Sequence, residues 1–153
     1  MLYGDKRETY RDIFFQVWQK YRNKQPLEGI ETVILPVLTM HPEYQAVLEN
    51  PDRYADRDYT PEAGETNPFL HMGLHVSIAE QLAIDQPPGI RALYDQARAH
   101  FGEAHAAEHL MMDCLAEAIW QMQRQGSDFD MHLYMRCIRD QIGLPPENTE
   151  DKS

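Results

Sequence analysis

Apolar residues recur at three- and four-residue intervals along nearly the whole chain, and no stretch sustains a polar–apolar alternation of period two. That pattern restricts the fold to helices packed through apolar stripes, since a half-buried strand needs side chains that alternate between two faces. From Asp5 to about Lys24 the stripe is Tyr10, Ile13, Phe14, Val17, Trp18 and Tyr21. Leu27 to Met40 continues with Ile30, Val33, Ile34, Val37 and Leu38, and Pro36 is expected to kink or restart that helix. Pro42 opens a short segment to Glu49, with His41 at the N-cap position and Pro42 at the first helical position. Asn50 to Thr66 reads as a loop packed by Tyr54 and Tyr59.

Asn67-Pro68 is the clearest helix start in the chain, and the helix it opens runs to about Asp85 and stops before Pro87-Pro88. Gly89 to Phe101 and Glu103 to Gln125 follow, ended by Gly102 and Gly126, and Asp128 to Ile142 closes the series before Gly143. No hairpin dipeptide and no repeat of fixed length interrupts the order. The expected fold is all-α, a bundle or compact array of five or six helices. It would form a single helical domain over residues 1–144, with 145–153 a disordered polar tail.

A chain of 153 residues can bury a core without a staple. No apolar run approaches the roughly 20 residues that span a bilayer, and Met1 to Glu8 has no apolar segment behind it that would make a signal peptide. The expected setting is the cytoplasm, where Cys114 and Cys137 would be reduced, buried thiols acting as small hydrophobes. A formal charge of −11 opposes binding to nucleic acid or to an anionic membrane, which leaves a protein partner or a second copy of the chain.

Four of the seven histidines form two i, i+4 pairs, His71/His75 and His105/His109. Residues so spaced lie about 40° apart around a helix and one turn apart along it, so two imidazoles can hold one metal ion. His71 and His75 share a face with Leu74, Ile78 and Leu82, in a helix apolar over most of its circumference. A buried imidazole has a donor and an acceptor nitrogen to satisfy, and leaving either without a partner costs about 1–3 kcal/mol. His105 and His109 lie instead on a polar stripe with Glu108, Asp113 and Glu117 that a solvated helix would also show. Taken with the first pair, they make a shared site for iron or zinc the leading expectation, with Glu108 as the carboxylate and His41 as a further nitrogen ligand. Glu80 points to another face, and His100 and His132 read as structural or surface residues. The eight methionines read as core gap-fillers rather than copper ligands.

The segments His41-Pro42-Glu43-Tyr44, Asn67-Pro68-Phe69-Leu70-His71-Met72-Gly73-Leu74-His75 and His105-Ala106-Ala107-Glu108-His109-Leu110-Met111-Met112 occur in this order. Through them the chain resembles an uncharacterised bacterial family, the domain of unknown function 1841, from about Tyr10 to Gln141. The resemblance implies no activity. Family members often carry histidine where this chain has Gln45. In chemistry alone, the histidine inventory is similar to hemerythrin-like diiron bundles, although the ligand order differs.

The expected function is metal binding, with dioxygen or peroxide chemistry at iron or water activation at zinc. The rival is a metal-free interaction module whose histidines and acids form a polar core. A lesser alternative takes His105-Ala106-Ala107-Glu108-His109 as the H-x-x-E-H motif of a zinc hydrolase.

Overall fold

A computed structural model describes residues 7–55 and 67–144. Among them are eight α-helices, one 3₁₀ turn and no strand. The helices are α1 (Arg7–Arg22), α2 (Glu31–Met40), α3 (Gln45–Leu48), α4 (Pro51–Tyr54), α5 (Pro68–Ile84), α6 (Ile90–Phe101), α7 (Ala104–Gln125) and α8 (Met131–Gln141), and the 3₁₀ turn is Pro42–Tyr44. The class is as expected and the helix number exceeds five or six. The surplus is α3 and α4, four residues each, which the sequence pattern merges into a short segment and a loop. Tyr59 and the tail 145–153 lie outside the described residues.

The chain groups into two compact units, residues 1–79 and 80–153, and the boundary falls within α5. The core of the first unit is built from Phe14, Phe15, Val17 and Trp18 of α1, Ile34, Val37 and Leu38 of α2, Leu48 of α3, and Phe69, Met72 and Val76 of α5. Tyr21, placed on the α1 stripe by its spacing, is exposed. Arg11 occupies the stripe instead, 1% exposed, with Nη1 donating to the Ala55 carbonyl at 3.2 Å and the guanidinium 4.5 Å from the Phe69 ring centroid. A charge so buried is tolerable only with such partners.

One expectation for α2 is corrected and another narrowed. The helix begins at Glu31 rather than Leu27, because Gly29 takes a left-handed φ of 58° that ends any continuous turn before it. It also runs through Pro36 without a restart. The missing N–H would have bonded the Thr32 carbonyl, and Thr32 and Pro36 are both exposed, so water can satisfy that oxygen. Glu31 in the first turn accepts from Lys20 Nζ at 2.8 Å, which ties the start of α2 to the end of α1.

In the second unit α6, α7 and α8 begin and end close to their sequence signals. Gly102 and Gly126 adopt left-handed φ of 79° and 64° at the ends of α6 and α7. The largest departure is in α8, which starts at Met131 and not Asp128, because Asp130 accepts the cap bond from the Leu133 N–H. Tyr134 is 0% exposed, and its hydroxyl donates to Gln81 Oε1 at 2.6 Å. The expectation of two free thiols is overturned: Cys114 and Cys137 form a disulfide joining α7 to α8, with a Cα–Cα distance of 5.7 Å. Facing positions on two packed helices meet the geometric requirement for a bridge, which sequence spacing does not reveal. Disulfides persist in oxidising settings, so cysteine usage does not argue for a cytoplasmic one. Among the described residues, no helix is long and apolar enough to cross a membrane.

Candidate metal centre

Two helix ends deliver the site. At the start of α5, Asn67 Oδ1 accepts from the Phe69 and Leu70 N–H groups at 3.0 and 3.2 Å, the side-chain cap expected of Asn-Pro. Phe69, Met72 and Val76 then lock the rotation of α5 by packing into the core of the first unit, Phe69 against Phe15 at 5.6 Å between ring centroids. At 100° per residue this sets His71 and His75 on an adjoining face, roughly 110° round from the core contacts. Residues 72–78 are all buried, which agrees with the all-round apolar reading of this helix.

The third imidazole arrives from the end of α2. Buried Val37 and Leu38 fix the last turn, and His41 follows with φ −119° and ψ 69°, outside the helical region that a following proline disfavours. It occupies the N-cap position of the 3₁₀ turn, as expected, but makes no side-chain cap bond. Its Nδ1 lies 2.7 Å from the Val37 carbonyl oxygen, one of the acceptors that a helix end leaves without an intrahelical donor. A carbonyl only accepts, so Nδ1 carries the proton and Nε2 of the neutral ring carries the lone pair. A backbone carbonyl bonded to one ring nitrogen is one of the usual ways in which a metal-binding histidine is oriented.

The three rings form a nearly equilateral triangle. Centroids are 4.9 Å apart for His41–His71, 4.8 Å for His41–His75 and 4.9 Å for His71–His75. Each histidine offers one nitrogen such that all three lie within 4.8 Å of one another. Three nitrogens on one tetrahedral ion at 2.0–2.1 Å stand about 3.3 Å apart, so closure asks each pair to approach by about 1.5 Å at most. His41 and His75 are 4% and 3% exposed, and His71 is half-buried.

Tyr44, present in the His-Pro-Glu-Tyr segment but given no role in the site by the sequence, stacks on His41 with centroids 5.4 Å apart and planes 14° from parallel. It also lies 6.1 Å from His71. Burial, and after it the charge of Glu43, raises its phenol pKa.

The remaining sequence candidates lie on α7. His105 is exposed, Glu108 and His109 are half-buried, and the two imidazoles stand 4.2 Å apart, as i, i+4 spacing requires. The opposite face, with Ala107, Met111, Cys114, Leu115 and Ala118, is buried. Glu108 is close enough to Tyr94 that its charge, after burial, raises that phenol's pKa. Among the described residues, the set of three or more potential ligands with mutually close donor atoms is His41, His71 and His75, without the α7 residues. His100 and His132 are exposed, and Met72 sits in the core, as their sequence readings have it.

Residues 6–140 match the family described as the domain of unknown function DUF1841. No curated protein and no solved structure matches the chain, so the chemical likeness to hemerythrin-like bundles has no counterpart there.

Proposed function

The chain belongs to this family of unknown function, and we propose that it binds one divalent transition metal, zinc or iron, through His41, His71 and His75. The observation that supports this is the triangle of imidazoles, with Nδ1 of His41 bound to the Val37 carbonyl so that Nε2 is left as the donor. Three neutral imidazoles suit zinc or iron better than a hard cation such as magnesium or calcium. They leave at least one coordination position for water or a substrate, which distinguishes an open site from a closed structural one. Zinc there would supply activated water, and iron would supply dioxygen or peroxide chemistry. The buried His41 and His75 hold the ion, and half-buried His71 marks the side nearer to solvent.

Metal analysis of protein purified without an affinity tag, followed by calorimetric titration with zinc and with ferrous iron under reducing conditions, tests this. The expected result is about one equivalent per chain, with affinity sharply reduced in His71→Asn and His75→Asn and weaker at acid pH as protons compete for the nitrogens. Less than about a tenth of an equivalent, with no uptake of either metal, contradicts the proposal and leaves the histidines as a polar core. The same titration of His109→Asn reads out the part of the α7 pair.

A further inference from the structure

The 3₁₀ turn after α2 does more than lead the chain onward. In a 3₁₀ helix three residues make one turn, so side chains at i and i+3 eclipse. His41 and Tyr44 have this relation: the Tyr44 N–H donates to the His41 carbonyl at 3.0 Å, and Pro42 opens the turn. The outcome is a near-parallel stack, 5.4 Å between centroids at 14°, of a half-buried phenol ring on an imidazole that is 4% exposed. The stack blocks tilting of the His41 ring about the bond from Nδ1 to the Val37 carbonyl. One hydrogen bond leaves a ring that rotation. A bond in the ring plane and a flat wall against one face together leave it little.

We propose that Tyr44 is a positioning residue of the metal centre, fixing the His41 imidazole so that Nε2 is directed at the donors of His71 and His75. This rests on the metal-binding reading above. It assigns the work to the ring face of Tyr44 and not to its hydroxyl, and it joins His-Pro-Glu-Tyr into one unit. Proline sets the turn, the turn eclipses the two side chains, and the stack orients the ligand.

Calorimetric zinc titration of wild-type, Tyr44→Phe and Tyr44→Leu protein tests it, alongside proton NMR of the metal-free forms. Loss of an orienting partner typically weakens metal binding about 10- to 100-fold, which is the change expected for Tyr44→Leu. Tyr44→Phe keeps the ring face and should stay within about threefold of wild type. In the metal-free protein the His41 ring protons should carry an upfield ring-current shift that persists in Tyr44→Phe and disappears in Tyr44→Leu. Wild-type zinc affinity in Tyr44→Leu overturns the inference, as does Tyr44→Phe falling as far as Tyr44→Leu, which would assign the role to the hydroxyl. Absence of zinc uptake by the wild type overturns the metal reading itself. The NMR shift then still reports whether the stack exists.

Discussion

Reduction of the Cys114–Cys137 bridge separates the structural account from the thiol reading of the sequence. The two cysteines are 23 residues apart, and each belongs to a different helix of the second unit. Closing a loop of about 23 residues removes about 11.5 cal/mol/K from the unfolded ensemble, or about 3.4 kcal/mol at 25 °C in the chain-entropy treatment. For a chain of this size, 1 kcal/mol corresponds to about 2–4 °C in Tm, so the expected loss is about 7–14 °C. Reducing the wild-type protein is the cleanest perturbation, because it opens the loop while leaving every heavy atom of the side chains in place. Replacing Cys114, 1% exposed, would add a packing cost of its own. The assay is thermal unfolding followed by far-ultraviolet circular dichroism, with and without a phosphine reductant, next to thiol titration of the denatured, unreduced protein. No titratable thiol and a lower Tm on reduction are expected. Two titratable thiols, or a Tm unmoved by reductant, would refute the reasoning.

Tyr134→Phe leaves the Gln81 carbonyl oxygen buried without its donor and should cost about 1–3 kcal/mol in urea denaturation, recovered in part by adding Gln81→Leu. Burial raises the Tyr134 phenol pKa, so its stabilising contribution is full below the ordinary tyrosine value of about 10 and is lost as pH rises further. The variant should therefore lose less stability than wild type between neutral and strongly alkaline pH. At the other end of the scale, the Arg91 N–H held by Asp85 lowers that carboxyl's pKa, with the Gly89 N–H adding to it. The contribution is present above about pH 4 and is lost as pH falls through the lower folded value, so Asp85→Ala should flatten the acid limb of a stability–pH profile. Phe69→Ala should cost about 3–5 kcal/mol and also weaken zinc binding, since Phe69 sets the rotation of the helix that carries His71 and His75. Full zinc affinity in a destabilised Phe69→Ala would detach the site from that packing.

The long helices were legible where local chemistry decides the boundary. Asn67-Pro68 caps α5 through a side-chain oxygen, and Gly102 and Gly126 end helices because they take left-handed backbone without cost. Where tertiary context decides, the sequence was weaker. Pro36 is a helix-breaker by propensity, yet its lost bond falls on the carbonyl of exposed Thr32 and the helix continues. The single turns α3 and α4 are too short to show a period.

The site follows the same division. The spacing of His71 and His75 shows their shared face directly, whereas His41 joins them only because the packing of α2 brings it there, 30 residues earlier in the chain. Tyr44 had a signal, an aromatic residue three positions after a histidine across Pro42, but that needs a 3₁₀ turn to become a stack. Arg11 also had one, since Phe14, Phe15 and Trp18 follow it at helical spacing, which places a cation on the buried stripe. The disulfide had none, because pairing of two cysteines on different helices depends on which faces meet.

The central claim concerns which atoms hold the metal, and X-ray absorption spectroscopy of the zinc-loaded protein addresses it most directly. The account predicts a first shell at about 2.0–2.1 Å with the multiple-scattering signature of three imidazoles, reduced to two in His41→Asn. That substitution retains an amide donor near the position of Nδ1 and removes the Nε2 ligand. A shell of oxygens with one imidazole or none, or a spectrum indifferent to His41→Asn, would contradict it.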